Sequence, residues 1–483
     1  MDNKDFLNFG QAALDFIVEY NDSLKDKNVL PSVHPGYLAK LLPTDVPTQA
    51  ETWEKVLKDV KHLIVPGLTH WNSPNFHAYF SGSSSYPAMI GELICAGLST
   101  IGFSWISSPA STELEDISMN WLGKLIGLPE MFLNGEGSSG GGVIEGSASE
   151  ATLICLLAAK DRMVRRIKQL QPDMDVDVIK SKLVAYTSVD ANPYVKKAGR
   201  LGSMNMKFLP IDKNGALSYL TLIKQMLIDI KAKLIPCYVV ANLGTSTACG
   251  FDDLEAIGKI CKNFHLWLHV DANYAGGTFV CPEYRYLMKG VEYADSFNCD
   301  PHKLLLTNYD CSALWVQNTD HLIDAFNVER VYLTHDNQKL TRDYRHWQVA
   351  LGRKFRAVKL WFVMRLYGVQ GLQQHIRRLI DLAEKFENAL STDDRFEIVT
   401  TFCLGFVSFT IWGNDAFTRE LFQRLTDRKK IYVSSALHRE RLMIRFVCTA
   451  HTTAEDIEFA WNEIKGQCDE IHASPCNVQE ESD

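Results

Sequence analysis

The fold is decided by two short stretches, LWLHVD at residues 266–271 and DSFNCDPHK at residues 295–303. In each, an apolar run of the kind that forms a buried strand leads to a charged side chain, Asp271 in the first and Lys303 in the second. A pyridoxal phosphate site requires an amine to form a Schiff base and an anion to keep the pyridine nitrogen protonated. Alone, Asp271 would be a strand-end cap and Lys303 a solvated lysine, but together they predict this cofactor.

Short apolar strands alternate with helical patterns before these stretches. The runs KLVAY at residues 182–186 and IPCYVV at residues 235–240 have the length and composition of strands. The alternation extends from about residue 86 to about residue 370 and favours a mostly parallel sheet covered by helices. We therefore expect residues 86–370 to form a large α/β domain that binds the cofactor.

The two ends of the chain have different patterns. Apolar residues recur near helical spacing from Phe6 to Ile17, so residues 1–85 are expected to form a helical arm that packs on a dimer partner. After a long helical pattern, strands of alternating character predict a smaller α+β C-terminal domain over residues 371–483. The polar, acidic tail from Ala473 onward is expected to be disordered.

Composition excludes several classes of protein. The 483 residues include 46% hydrophobic and 22% charged residues, which is enough for a large buried core. A formal net charge of -8 opposes nucleic-acid binding, which requires clustered lysine and arginine. The twelve cysteines include no Cys-x-x-Cys pair, so neither a disulfide framework nor a metal site is expected. With no signal peptide or membrane-spanning run, the expected location is the cytosol.

Two glycine-rich segments compete as phosphate sites. The segment at residues 134–142 contains Gly-x-Gly-x-x-Gly, but no clear strand precedes it, so a dinucleotide site is a weak interpretation. GSASE at residues 146–150 is the better cradle, because small residues and the hydroxyls of Ser147 and Ser149 begin a helix whose N-terminus favours an anion. The alternative is a plain serine N-cap with Glu150 in the first turn.

Two further features have an open interpretation. NLGTST at residues 242–247 follows an apolar strand, so its hydroxyls would lie at the carboxyl edge of the sheet, where ligands bind in open α/β folds. A simple turn is the alternative there. His302 is equally compatible with a core histidine and with a neighbour of the cofactor.

Six motifs along nearly the whole chain carry a family resemblance. They are AYF at 78–80, GFSW at 102–105, EGSASE at 145–150, HVDA at 269–272, PHK at 301–303 and DYRHWQ at 343–348. In these the chain resembles the aromatic L-amino acid decarboxylases of the group II pyridoxal phosphate enzymes. The resemblance implies fold type I, the aspartate-aminotransferase-like fold with a mostly parallel seven-stranded sheet, and a homodimer with active sites at the subunit interface.

The resemblance also implies roles for individual residues. Lys303 is expected to form the Schiff base and Asp271 to contact the pyridine nitrogen. The phosphate contacts would be Ser147, Ala148 and Ser149. Ser246 stands where relatives use a threonine near the cofactor.

The most informative departure from the family pattern is Asn192, in VDANPY at residues 189–194. The decarboxylases carry a histidine there that stacks on the cofactor ring, and an asparagine cannot act as an acid. The exchange resembles that of the insect 3,4-dihydroxyphenylacetaldehyde synthases, which convert L-dopa with oxygen to an aldehyde. The alternative is an Asn-Pro turn without a chemical role.

The chemistry gives the exchange a consequence. Loss of carbon dioxide leaves an electron-rich intermediate, and protonation of its α-carbon yields an amine. Without the imidazole, we expect molecular oxygen to act as co-substrate and to give an aldehyde, ammonia and hydrogen peroxide. Tyr332 matches the mobile-loop tyrosine that helps protonate the α-carbon in amine-forming relatives, so the expected switch is Asn192. Tyr332 as a surface-loop aromatic is the alternative.

Other departures concern the pocket. Asp300, Leu304 and Asn273 stand where relatives commonly have asparagine, tryptophan and alanine, and Gly82 belongs to a Ser-Gly pair that replaces Pro-Thr. A carboxylate at Asp300 would repel a phosphate unless it is turned away or paired, for example with His302.

Aromatic residues favour an aromatic substrate, although such clusters are also ordinary core. The expected substrate contacts are Asn192 and Gly82 together with Trp71, Tyr79, Phe80 and Phe103.

Three hypotheses follow from the sequence. The leading one is an aromatic aldehyde synthase that acts on L-dopa, and the second is a conventional decarboxylase that tolerates Asn192. The third is a degenerate pyridoxal phosphate protein kept as a binding partner, which Asp300 and Leu304 suggest.

Overall fold

The computed structural model describes residues 1–80, 82–135, 137–328, 336–337, 340–413 and 415–473. The described residues form two compact units. The larger comprises Gly82–Ile380 with Thr400–Leu404, and the smaller comprises Met1–Ser81, Asp381–Val399 and Gly405–Asp483. Residues of the expected N-terminal arm therefore share a compact unit with the C-terminal strands, and its packing on a dimer partner stays a prediction.

The strands and α-helices are numbered in chain order. The strands are β1 (Phe76–His77), β2 (Gly141–Glu145), β3 (Leu183–Ser188), β4 (Asn205–Leu209), β5 (Ile235–Asn242), β6 (Trp267–Asp271), β7 (Ser296–Cys299), β8 (Ser312–Val316), β9 (Phe396–Ile398), β10 (Phe406–Ile411), β11 (Tyr432–His438) and β12 (Arg441–Val447). The helices are α1 (Asn3–Asp22), α2 (Tyr37–Leu41), α3 (Trp53–Asp59), α4 (Tyr86–Leu98), α5 (Pro109–Ile126), α6 (Ala148–Leu170), α7 (Val176–Lys182), α8 (Pro193–Leu201), α9 (Tyr219–Lys231), α10 (Leu254–Phe264), α11 (Pro301–Leu304), α12 (Asp320–Phe326), α13 (Ala357–Leu390), α14 (Asp415–Arg428) and α15 (Ala454–Ala473).

The larger unit is built on a seven-stranded sheet with the strand order β2-β8-β7-β6-β5-β3-β4. Only β8 runs antiparallel to its neighbours, and the other pairs are parallel. Strands β2, β3, β6, β7 and β8 are buried along their whole length, as expected for a sheet covered on both faces. The predicted fold class is confirmed.

This topology places the ends of six strands together. Strand β8 is antiparallel to both of its neighbours, β2 and β7, so β2 points the same way as β3 to β7. Their carboxyl ends therefore meet at one edge of the sheet, which is where side chains of open α/β folds collect around a ligand.

The smaller unit has a five-stranded sheet with the order β1-β11-β12-β10-β9. Strand β1 pairs in parallel with β11, and the amide of Tyr432 donates to the carbonyl of Asn75 at 3.1 Å. The remaining pairs are antiparallel. The N-terminal segment thus contributes an edge strand to the C-terminal sheet, a pairing that local periodicity does not reveal.

Local signals account for several element boundaries. Ser147 caps α6 and Asp253 caps α10, each through a side-chain oxygen that accepts a backbone N–H of the first turn. Helix α13 is broken at Gly368, whose φ of 64° lies in the left-handed region.

The cysteines, the character of the helices and the C-terminal tail were also the subject of expectations from the sequence. The cysteines in the described ranges are free, and all of them except Cys403 are buried. Among the described helices, none has the length and apolar character needed to cross a bilayer. The C-terminal tail was expected to be disordered from Ala473 onward, but Ala473 is the last residue of α15, and residues 474–483 lie outside the described residues.

A buried ion pair connects α5 with the segment that precedes α13 in the larger unit. The Arg353 guanidinium lies 2.5 Å from Glu115 Oε1, and both side chains are almost fully buried. The same carboxylate accepts the backbone N–H of Ile144 at 2.7 Å. Neither charge can reach solvent if its partner is removed.

We predict that Arg353→Leu lowers the free energy of unfolding by ~3–5 kcal/mol, because Glu115 is then a buried charge without its cation. The matched control is Arg377→Leu, since Arg377 and Glu283 form a half-exposed pair that contributes at most about 1 kcal/mol. Chemical denaturation of both variants checks the difference. Equal losses of stability would contradict the role given to the buried pair.

Candidate active site

The site residues lie at the carboxyl edge of the seven-stranded sheet. Ser147 follows β2, Asn192 follows β3, and Ser246 follows β5. Asp271 is the last residue of β6, and Lys303 lies four residues beyond β7. Residues separated by more than 150 positions in the sequence thus converge through the topology of one sheet.

Asp271 is buried and accepts four hydrogen bonds. The hydroxyl of Tyr194 donates to Oδ2 at 2.6 Å, and Nδ2 of Asn192 donates to the same oxygen at 3.4 Å. The backbone N–H and side-chain Nδ2 of Asn273 donate to Oδ1 at 3.2 and 2.9 Å. Burial raises the pKa of Asp271, while the Tyr194 hydrogen bond and the Lys303 charge oppose the rise. A cationic partner would further stabilise the carboxylate.

Lys303 lies beside an acid and an amide. Its Nζ donates to Asn273 Oδ1 at 2.5 Å and lies 3.3 Å from Asp300 Oδ2. Its side chain is 14% exposed, so the amine is accessible to a small molecule. Because Asn273 also contacts Asp271, the two residues predicted to hold the cofactor are joined through one side chain.

Asp300 is paired, but chiefly with residues other than His302. Ser312 donates to its Oδ1 at 2.5 Å, and Lys303 Nζ is close to its Oδ2. His302 Nε2 is 3.7 Å from Oδ2, which exceeds hydrogen-bond distance, and burial lowers the pKa of the imidazole. His302 Nδ1 contacts the carbonyl of Cys311 at 2.5 Å. His302 is therefore a buried histidine anchored to the backbone next to the site.

The segment at residues 146–150 has both a serine N-cap and backbone donors that could bind a phosphate. Ser147 is the N-cap of α6, since its Oγ accepts from the N–H of Glu150 at 3.3 Å. The carboxylate of Glu150 in turn accepts the N–H of Gly146 at 3.2 Å. In the first turn of the helix, the N–H groups of Ala148 and Ser149 have no intrahelical acceptor, so they can bind an anion.

A cation lies close to this helix start. A methyl group in place of the Gly146 hydrogen would lie 3.5 Å from Nη2 of Arg356. The Arg356 guanidinium makes two hydrogen bonds to Asp310, at 3.0 and 2.9 Å. The same position lies 3.1 Å from Glu150 Oε2 and 3.5 Å from Asp310 Oδ2, so the Arg356 charge is already partnered. A phosphate beside the Ser147–Ser149 segment would therefore depend mainly on the free backbone donors at the helix N-terminus.

Loops after β3 and β5 are tied together. The Thr247 hydroxyl donates to Asp190 Oδ2 at 2.5 Å, and Thr245 accepts from the N–H of Gly250 at 2.9 Å. Ser246 is half-buried between these two threonines. Asn192 begins α8, but its side chain makes no capping hydrogen bond and is directed to Asp271 instead.

The expected substrate contacts are divided between the two units. In the smaller unit, Trp71 stacks on Tyr79 with ring centroids 5.7 Å apart, and Phe80 lies under Arg445 at 4.6 Å. In the larger unit, Gly82 lies near the carbonyl of His302, with space for a side chain, and Phe103 accepts the N–H of Arg345 through its carbonyl.

Other predicted residues have simpler outcomes. Leu304 is buried and packs against Gly277. Tyr332 lies outside the described residues. The glycine-rich segment at residues 134–142 leads into β2, whereas a dinucleotide fingerprint leads from a strand into a helix. It therefore does not have the geometry of a dinucleotide site. Glu136, within the segment, lies outside the described residues.

Two residues near the site were not predicted as functional. Tyr194 donates to Asp271, and burial raises the pKa of its phenol well above the ordinary value. Its position two residues after Asn192 was the only available signal. Arg356 is distant in sequence from Gly146, and no local pattern links them.

The geometry fits pyridoxal phosphate. The buried Asp271 carboxylate is oriented by four hydrogen-bond donors. The Lys303 amine is connected to it through the Asn273 amide. The N-terminus of α6, with the Arg356 guanidinium nearby, can receive a phosphate. Asp271, Lys303 and the Ser147–Ser149 segment would hold the ring nitrogen, the aldehyde carbon and the phosphate, respectively. These features define a fold type I enzyme that depends on pyridoxal phosphate.

Comparison with known proteins identifies the family. Residues 35–412 match the pyridoxal-dependent decarboxylase conserved domain. The chain is 46% identical to aromatic-L-amino-acid decarboxylase of Rattus norvegicus over 96% of this chain and 98% of the relative. It is 45% identical to 3,4-dihydroxyphenylacetaldehyde synthase of Drosophila melanogaster over 100% of this chain and 95% of that protein.

Structural similarity agrees with this result. The crystal structure of Oryza sativa TDC with PLP and tryptamine superposes with a TM-score of 0.94 at 35% identity, covering 98% of this chain and 99% of that chain. The chain belongs to the pyridoxal-dependent decarboxylase family, in the branch of the aromatic amino acid decarboxylases.

We predict that Lys303→Ala abolishes covalent retention of the cofactor and turnover, because no other described amine contacts Asn273 or Asp300 in this site. Borohydride reduction followed by peptide mapping measures the covalent link. Lys354→Ala, in a half-exposed lysine of the same unit, is the control and should retain it. Trapped cofactor in the Lys303 variant would refute the assignment.

We predict that Asp271→Asn lowers the decarboxylation rate about a hundredfold or more while preserving the fold, because the amide has nearly the same shape but no charge to keep the ring nitrogen protonated. Carbon dioxide release in single turnovers is the measurement, with circular dichroism as the check on folding. A rate near that of the wild type would remove Asp271 from the mechanism.

Proposed function

We propose that the enzyme is an aromatic aldehyde synthase that acts on L-dopa. One L-dopa, one oxygen and one water would give one 3,4-dihydroxyphenylacetaldehyde, one carbon dioxide, one ammonia and one hydrogen peroxide. The observation that carries the proposal is the Asn192 side chain, which lies 3.4 Å from Asp271 at the position where the resembling decarboxylases have histidine. The Drosophila relative, described as a 3,4-dihydroxyphenylacetaldehyde synthase, supports the same product.

The Asn192 amide cannot supply a proton. It is neutral across the physiological pH range, and it donates an N–H to Asp271 Oδ2 without being able to release it. An imidazole at this position could accept and return a proton, because its ordinary pKa is near neutrality. Asn192 therefore orients its neighbours and leaves proton transfer to other groups.

The neighbouring residues are poor proton donors. The Tyr194 phenol is committed to Asp271, and burial raises its pKa well above the ordinary value. Burial lowers the pKa of His302, which favours the neutral imidazole. When bound, pyridoxal phosphate supplies the electron sink for loss of carbon dioxide. Slow protonation at the α-carbon leaves oxygen more time to accept two electrons.

Two relatives support an aromatic substrate, because one is named an aromatic-L-amino-acid decarboxylase and the other a 3,4-dihydroxyphenylacetaldehyde synthase. Trp71, Phe76, Tyr79 and Tyr432 form a contiguous ring cluster in the smaller unit, and the Tyr79 and Tyr432 hydroxyls are 2.8 Å apart. Two of the expected substrate contacts, Trp71 and Tyr79, belong to this cluster and are each 45% exposed, so their rings can contact an aromatic ligand. L-dopa is the proposed substrate because its catechol ring is retained in the product, 3,4-dihydroxyphenylacetaldehyde.

Exposed apolar residues support a homodimer with an active site at the subunit interface. On and after α4, the side chains of Leu93, Leu98, Ile101 and Ile106 are each more than half exposed. Several exposed apolar side chains within one short stretch of chain are typical of a protein–protein interface. A cytosolic location agrees with the free, buried cysteines of the described ranges.

The second candidate is a conventional decarboxylase that releases dopamine or a related amine. It is favoured by the 46% identity to the rat decarboxylase and by the retained Tyr332, which lies outside the described residues. The degenerate alternative has less support, because Asp300 is paired with Lys303 and Ser312 and does not disrupt the site.

We predict that Asn192→His shifts the product from aldehyde toward amine by about tenfold or more, because the imidazole can protonate the α-carbon. At a branch point, each ~1.4 kcal/mol of differential barrier changes the product ratio about tenfold. Amine, aldehyde and peroxide are quantified after L-dopa turnover.

Asn192→Gln is the matched control, since it keeps a neutral amide and adds only length. It should leave the product mainly aldehyde. If Asn192→His and the wild type give the same aldehyde-to-amine ratio, Asn192 is not the switch. A wild type that yields only amine supports the conventional decarboxylase.

A further inference from the structure

The Asn273 side chain lies between the two residues that the cofactor must engage. Its Oδ1 accepts from Lys303 Nζ at 2.5 Å, and its Nδ2 donates to Asp271 Oδ1 at 2.9 Å. The same Nδ2 also donates to the Tyr194 hydroxyl. One buried amide thus connects the amine with the carboxylate.

We propose that Asn273 is a positioning residue that competes with pyridoxal phosphate: in the cofactor-free enzyme its amide holds Lys303 and Asp271 to each other, and loading must release that connection. The inference depends on the cofactor alone and not on the product. Its failure would therefore leave the proposed aldehyde synthase reaction untouched.

Asp271 has a limited number of acceptor sites. A carboxylate offers about four lone-pair sites. All four are used by Tyr194, Asn192 and the two N–H groups of Asn273. A protonated ring nitrogen can donate to Asp271 only if one of these donors moves away.

Cofactor loading also changes the hydrogen-bonding capacity of Lys303. In loading, the amine condenses with the aldehyde, so that a C=N bond replaces the C=O bond and one water leaves, with no change of oxidation state. Nζ then has at most one N–H instead of three. The hydrogen bond to Asn273 Oδ1 is therefore weakened at the same step that engages Asp271.

Asn273 is therefore the donor that is displaced from Asp271. It is a residue whose side chain contacts both groups, since its Oδ1 accepts from Lys303 Nζ and its Nδ2 donates to Asp271 Oδ1. Its contacts stabilise the cofactor-free form more than the loaded form. By linkage, they lower the affinity for the cofactor.

The experiment compares cofactor-free wild type with Asn273→Ala. We expect the dissociation constant for pyridoxal phosphate to fall about tenfold in the variant, which corresponds to ~1.4 kcal/mol. Titration followed by the visible absorbance of the bound cofactor gives the constant, and stopped-flow gives a faster loading rate.

Thermal unfolding provides a readout that does not depend on activity. The midpoint of cofactor-free Asn273→Ala should fall, while the increase in midpoint on loading should become larger than in wild type. Asn120→Ala is the matched control, because the Asn120 amide bonds to the backbone of Asn134, away from Lys303 and Asp271 in the sequence and on a different element. It should leave the dissociation constant unchanged.

Tyr194→Phe keeps the proposal testable if Asn273→Ala fails to fold. This variant removes one donor from Asp271 and one partner from Asn273, so we expect a smaller gain in affinity, about two- to fivefold. An equal or weaker affinity in Asn273→Ala, or in Tyr194→Phe when it is the only folded variant, would overturn the proposal.

Discussion

The structure depends on keeping one carboxylate charged in a buried position. Asp271 ends a fully buried strand, and burial alone favours its neutral form. The Tyr194 hydrogen bond, the Lys303 charge and the Asn273 backbone N–H oppose that tendency, and the pKa of Asp271 stays above its ordinary value. A strand end at the carboxyl edge is the place where a carboxylate can be oriented this well and still face a ligand. The chemistry of the site depends on this balance between the burial of Asp271 and its hydrogen bonds.

The rest of the larger unit positions partners around that carboxylate. The parallel strands bring Asn192 and Lys303 from distant parts of the chain to the same edge. Ser312, on the reversed strand β8, orients Asp300. Because each contact depends on the sheet topology, substitutions that alter the chemistry can be made at loop positions without changing the fold.

The sequence predicted most of the fold, because strand length, apolar composition and helical spacing are local signals. The strands around Leu183, Ile235 and Trp267 occur where the pattern placed them, and so do Asp271 and Lys303. The pairing of β1 with β11 was not predictable, since two residues carry no periodicity. The roles of Tyr194 and Asn273 depend on side-chain directions that only the folded chain defines.

The central claim is that Asn192, an amide without acidity, directs the reaction to an aldehyde. The most direct test is the stoichiometry of wild-type turnover with L-dopa, with oxygen uptake and carbon dioxide release recorded in the same vessel. The account predicts one oxygen consumed for each carbon dioxide released, with matching amounts of aldehyde and ammonia. Carbon dioxide release without oxygen uptake, accompanied by dopamine, would contradict it.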